Sequence, residues 1–132
     1  MRILNSRKKR REGKAFAKDF GMEGDVFAPY QAMEGSGELW IMTRECLDFD
    51  YDGFRVDSIG LRILHGKKPT ISGVQLLLGG CGKSIEISED DARDFIEGRD
   101  IDGQQRVAAY RGHPIDLAIK GEGTIKRARK GL

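Results

Sequence analysis

Apolar positions are sparse at the start of the chain and then fall into short alternating runs. Ala15, Phe16 and Phe20 crowd the end of a helix predicted from Ser6, as its cap, to the stop at Gly21. Its first half, Arg7 to Lys14, is left polar, exposed and basic. Tyr30 to Met33 and Glu38 to Thr43 read as two strands about the turn Glu34-Gly35-Ser36-Gly37. Leu47 to Tyr51 is short, acidic and aromatic. Phe54 to His65 alternates as a strand, with Val56, Ile59, Leu61, Ile63 and Leu64 at the apolar positions.

After Gly66-Lys67-Lys68-Pro69 a short helix is predicted from Ser72 to Leu78, ending at Gly79-Gly80-Cys81-Gly82. Ile85 and Ile87 mark a strand. Ser88 and Asp91 then form a capping-box pattern ahead of a helix with Ala92, Phe95 and Ile96 as its apolar stripe and Gly98 as its stop. Strands follow at Arg106 to Tyr110, Pro114 to Ile119 and Thr124 to Ala128, separated by turns at Arg111-Gly112-His113 and Gly121-Glu122-Gly123. Short strands, Gly turns and a capped helix predict an α+β protein with a partly closed barrel.

The chain has 132 residues, enough for a core without disulfides or metals, and its 39% hydrophobic and 33% charged residues fit a soluble globular protein. No apolar stretch reaches membrane-spanning length, and no apolar run follows the basic N-terminus, so neither membrane association nor a signal peptide is expected. Cys46 and Cys81 lack zinc-type spacing and are expected to be reduced thiols in a cytoplasmic protein. The net charge of +2 conceals blocks: residues 1–18 carry eight bases against one acid, and residues 84–104 eight acids against two bases. Residues 58–83 and 105–132 are again basic. Three basic blocks in so short a chain point toward a polyanionic partner.

Most candidate chemistry fails on spacing. Gly82-Lys83-Ser84 looks like the end of a phosphate-binding loop, but Leu77 stands where that motif needs glycine and a strand follows instead of a helix. Asp48-Phe49-Asp50-Tyr51-Asp52-Gly53 matches half a calcium loop, yet Ile59 occupies the place of the bidentate Glu. His65 and His113 lack sequence-near partners for a triad or metal site. Neither cofactor nor metal is expected. Gly98-Arg99 is a better candidate, because a helix ending in glycine exposes N–H groups to phosphate and Arg99 can stack on an unpaired base. The last strand, Lys126-Arg127-Ala128-Arg129-Lys130, places cations on both faces.

The runs Arg55-Val56-Asp57-Ser58-Ile59-Gly60-Leu61 and Ile71-Ser72-Gly73-Val74-Gln75-Leu76-Leu77 resemble one family. So do Ile85 to Ile101 and Tyr110-Arg111-Gly112-His113-Pro114-Ile115. The order and spacing of these four segments are similar to small archaeal proteins related to the C-terminal RNA-binding part of Sun/Fmu-type RNA 5-methylcytosine methyltransferases, a part similar to the PUA domain. The resemblance covers most of the chain, most convincingly from Arg55 onward. It implies an N-terminal α/β domain over 1–80 and a PUA-like β pseudo-barrel with one capped helix over 81–132, the second able to borrow strands from 55–66. RNA would lie beside the barrel helix and the last strands. Two departures stand out. The pattern has Gly-x-Gly where this chain has Asp116-Leu117-Ala118, and Lys-Asn and Pro-Lys where it has Lys126-Arg127 and Arg129-Lys130. The loss of those glycines is expected to hinder close backbone approach there, with the added arginines compensating by charge.

These readings lead to a non-catalytic RNA-binding protein of rRNA or tRNA maturation. The resemblance does not extend to the methyltransferase catalytic domain, so methyl transfer is not implied. The expected RNA contacts are Arg10, Arg11, Gly98, Arg99, Lys120, Lys126, Arg127, Arg129 and Lys130. A second reading is an adaptor that docks on an RNA-modifying enzyme or a ribosome-assembly factor. A third, a small hydrolase, would require a concave polar pocket around His65 or His113.

Overall fold

The computed structural model describes residues 2–43, 45 and 60–128. The chain divides into two units, Met1–Gly73 and Val74–Leu132, and combines helices with two five-stranded sheets, so its class is α+β. Cys46, the acidic stretch 48–53, the first part of the strand predicted over 54–65, and Arg129 and Lys130 lie outside the described residues.

In the first unit, β1 (Arg2–Ile3) leads into α1 (Ser6–Asp19). The cap is Asn5 rather than Ser6: Asn5 is extended and its Oδ1 accepts from the Lys8 N–H at 2.8 Å, while Ser6 already lies inside the helix. Gly13, Phe16 and Ala17 form the buried face of α1. Phe16 meets Phe20 and Phe27 with ring centroids 5.3 and 5.8 Å apart. Then come β2 (Gln31–Gly35), β3 (Glu38–Met42), β4 (Leu61–His65) and β5 (Lys68–Pro69). With β1 they form an antiparallel sheet in the order β1-β2-β3-β4-β5. The β2–β3 turn is tight because Ser36 and Gly37 both take positive φ. Ala32, Ile41 and Ile63 are buried. The short pairings of β1 and β5 are too brief to leave a period in the sequence.

The helix α2 (Ile71–Leu77) follows. In the second unit, β6 (Ser84–Glu86) is succeeded by α3 (Glu89–Ile96), β7 (Ile101–Asp102), β8 (Val107–Tyr110), β9 (His113–Lys120) and β10 (Thr124–Arg127). The sheet order is β6-β8-β9-β10-β7. Only β6 and β8 run parallel among these pairings, and α3 lies in the connection between them. Ser88 caps α3 through its Oγ, which accepts from the Asp91 N–H at 3.1 Å, as its sequence pattern predicts. Glu89, Asp90 and Asp91 in the first turn complement the positive end of the helix dipole. Ala92 and Phe95 pack with Ile87, Ile101, Ala108 and Ile125 into the core of this unit. Pro114, inside β9, sits beside a bulge, where a missing N–H is tolerated.

Candidate nucleic-acid interface

Among the described residues, the expected RNA contacts fall on the first helix, at the end of α3 and on the last two strands. On α1, Lys8 and Lys9 turn toward the protein: Lys8 Nζ lies 2.8 Å from Glu34 Oε1, and Lys9 Nζ donates to the Tyr30 carbonyl at 2.6 Å. Arg2 joins the same Glu34 carboxylate at 2.6 Å. The hydrogen bond from Lys8, and then that from Arg2, hold the Glu34 carboxyl below the usual range. Arg7, Arg10, Arg11, Lys14 and Lys18 are all exposed, and none has a carboxylate partner among the described residues. At 100° per residue these five positions fall within about 100° of arc, and at 1.5 Å per residue they span roughly 16 Å. They form a single cationic stripe whose centre lies opposite Phe16. Arg10 and Arg11 therefore hold the exposed positions expected of them, and Arg7, Lys14 and Lys18 join them. The helical spacing alone would have added those three.

The second unit treats its cations differently. Gly98 has φ +87°, and the helix ends in a Schellman turn. The Gly98 N–H donates to the Phe95 carbonyl at 3.1 Å and the Arg99 N–H to the Asp94 carbonyl at 2.8 Å. This corrects the expectation that Gly98 offers its N–H to phosphate, because the turn consumes that donor internally. The Arg99 side chain stays 65% exposed, but its guanidinium is 3.0 Å from Asp94 Oδ1 and 2.6 Å from Glu97 Oε2. Its charge is offset where it stands.

Arg127 requires a second correction. It is only 9% exposed, and its Nε donates to Asp116 Oδ2 at 2.9 Å, with Asp116 wholly buried. Nη1 of Arg127 donates to the Ile96 carbonyl at 3.2 Å, satisfying one of the last carbonyls of α3. Asp116 Oδ1 in turn accepts from the Leu117 N–H at 2.8 Å. Arg127 is thus a buried strut between β9, β10 and α3, not a surface contact. Asp116 and Arg127, both singled out in the sequence, bind each other across β9 and β10.

Lys120 and Lys126 flank the β9–β10 turn and are exposed without a carboxylate partner among the described residues. The structure therefore brings Gly98, Arg99 and Arg127 together around the end of α3, places Lys120 and Lys126 on the neighbouring hairpin, and carries Arg10 and Arg11 on α1 of the other unit.

The two histidines lie in different units. His65 Nδ1 lies 3.0 Å from Glu38 Oε1, and Arg62 lies at the same distance from that oxygen. His65 and then Arg62 lower the Glu38 carboxyl from its usual range. A groove of about 660 Å³ beside His113 has a mainly apolar floor that includes Ala92, Ile96, Pro114 and Ile115. Cys81 is buried. Among the described residues no group of His, Cys, Asp and Glu could hold a metal ion, and no helix is long and apolar enough to cross a membrane.

No family model matches the chain. The chain is similar to the ribosomal RNA small subunit methyltransferase F of Shewanella oneidensis, with 30% identity over 114 residues. The match covers 83% of this chain and 21% of that protein, so the chain spans about a fifth of the length of the curated relative it matches. That similarity supports a relation to the Sun/Fmu proteins.

Proposed function

We propose that this chain is a non-catalytic RNA-binding protein of the cytoplasm, acting in the modification or maturation of rRNA or tRNA, with a PUA-like second unit. The observation that carries the reading is the cationic stripe of α1, which has no carboxylate partner among the described residues. Arg7 with Arg10 and Arg11, Lys14 with Arg10 and Arg11, and Lys18 with Lys14 are like-charge neighbours three or four residues apart. Each such pair costs an isolated helix about 0.2–0.5 kcal/mol. Arginine near the positive end of the helix dipole adds to that cost, and no acid stands in the first turn to offset it. Stability gives no reason to keep such a stripe. A polyanion laid along it removes the repulsion and releases its own counterions. The relative's designation as an rRNA methyltransferase supports RNA as that polyanion.

Lys120 and Lys126 add phosphate contacts from the second unit, while Arg99, already flanked by carboxylates, contributes less. The test is the affinity for an rRNA fragment and for tRNA, by fluorescence anisotropy, across a salt series. The affinity is expected to fall by about 0.7–0.9 log units per log unit of salt for each phosphate neutralised. Binding that ignores salt, or no binding to either RNA, overturns the reading.

A further inference from the structure

The groove under the β8–β9 turn has a chemistry that the cationic stripe lacks. Tyr110 closes β8, half-buried against the core of the second unit, and pairs across the turn with His113. Between them Arg111 and Gly112 take φ +51° and +78°, the geometry of a two-residue turn with both central residues left-handed. Asn or Gly suits the first of those positions, and a long side chain there is a conformational outlier. The turn is held in place by Glu86 Oε1, which accepts from the Gly112 N–H at 2.8 Å. The Arg111 guanidinium lies 5.2 Å from the centroid of the Tyr110 ring and has no carboxylate partner among the described residues. An outlier of this kind is evidence of use when its neighbours define a site.

They do. The cavity of about 660 Å³ is lined by Tyr110, Arg111, His113 and Gln75 together with the apolar side chains of Ala92, Ile96 and Ile115. The Gln75 amide donates to the Ile115 carbonyl at 3.2 Å, which fixes that side chain and leaves its own oxygen to accept. An apolar lining disfavours a bare inorganic anion, whereas an aromatic-guanidinium pair whose positive charge has no carboxylate partner suits a planar heterocycle carrying phosphate. We infer that this groove receives one unpaired base of single-stranded RNA, stacked against the Tyr110–Arg111 pair, with His113 and Gln75 meeting its polar edge and Arg111 holding the adjoining phosphate. The inference rests on the RNA-binding reading above and assigns to it a second, stacking subsite. A base locked in a duplex cannot enter, so the subsite discriminates strand state.

The decisive variant is Arg111→Gly, because glycine suits the left-handed turn and the fold is expected to be as stable as before or more so. Full-length protein is titrated by anisotropy into a short labelled single-stranded RNA of mixed sequence and into the same RNA annealed to its complement. Arg111→Gly is expected to weaken single-strand binding by about tenfold, the size of one stacking interaction, and to leave duplex binding nearly unchanged. Tyr110→Leu should show the same selectivity, and Arg111→Lys, which keeps the charge but not the plane, a smaller loss. Equal weakening on both RNAs, or unchanged single-strand binding in Arg111→Gly, overturns the subsite while leaving the α1 surface standing. Failure of the unaltered protein to bind either RNA overturns both.

Discussion

The first helix and the region around α3 hold the same residue types and use them in opposite ways. On α1 five cations face solvent along one stripe, with no carboxylate beside them among the described residues. Around α3, Arg93 pairs with Glu89, Arg99 with Asp94 and Glu97, and Arg127 with the buried Asp116. The difference comes from what surrounds each cation. Residues 1–18 supply only Glu12 as an acid, whereas α3 and its flanks are crowded with them. A positive residue becomes a binding group only after its local partners have been subtracted. On that measure α1 presents the larger free charge.

The comparison is broken most forcefully at its buried end. Asp116→Ala leaves Arg127 charged and enclosed, and is expected to cost about 3–5 kcal/mol, read from denaturant unfolding. Asp116→Leu combined with Arg127→Met should recover most of that loss, because neither charge then remains to be solvated. If the single variant unfolds at the same denaturant concentration as the parent, the strut is not structural.

The next largest effect lies on the stripe. Replacing Arg10 and Arg11 by Gln should reduce the salt slope of RNA affinity by about two, roughly one for each phosphate that is no longer neutralised, without lowering the thermal midpoint. Arg99→Gln should change that slope far less, since Asp94 and Glu97 already offset its charge. An equal change from both would erase the distinction drawn between the two neighbourhoods. Ser88→Ala, which strips the cap of α3, is expected to cost about 1 kcal/mol in unfolding and to leave RNA binding by α1 intact.

The smallest effect is the response to acid. Glu34 and Glu38 both sit below the usual carboxylate range in the folded protein, Glu34 through Lys8 and Arg2, Glu38 through His65 and Arg62. Their contribution is complete above the ordinary carboxylate pKa and is lost as the pH falls through the lowered folded values. The exposure of their partners Arg2, Arg62 and His65 to water keeps it small. Glu34→Gln should flatten the acid limb of a stability–pH profile slightly, and an unchanged limb would show that the Lys8 and Arg2 pairs add nothing.

Much of this architecture could be read from order along the chain. Phe16 and Phe20 mark the end of α1, Ser36-Gly37 marks a hairpin, and Ser88 with Asp91 marks the start of α3, because caps and tight turns are set by neighbours within a few residues. The basicity of α1 was equally legible, since a segment with one acid among eight bases has little nearby to neutralise it. Local physics is written locally.

What the tertiary structure alone decided is which cations stay available. Alternation along β10 showed that Lys126 and Arg127 face opposite ways, but not which face is buried. That answer waits on Asp116, eleven residues earlier on the adjacent strand β9, and on the end of α3. The Gly98 N–H likewise looks open in sequence and is closed by a turn whose acceptor lies on the helix before it. Tyr110, Arg111 and His113 are a few residues of hairpin until the apolar side chains of α3 give them a floor. Local patterns fix the elements because their energies depend on near neighbours. Charge availability and cavity shape depend on residues that only the folded chain brings within reach.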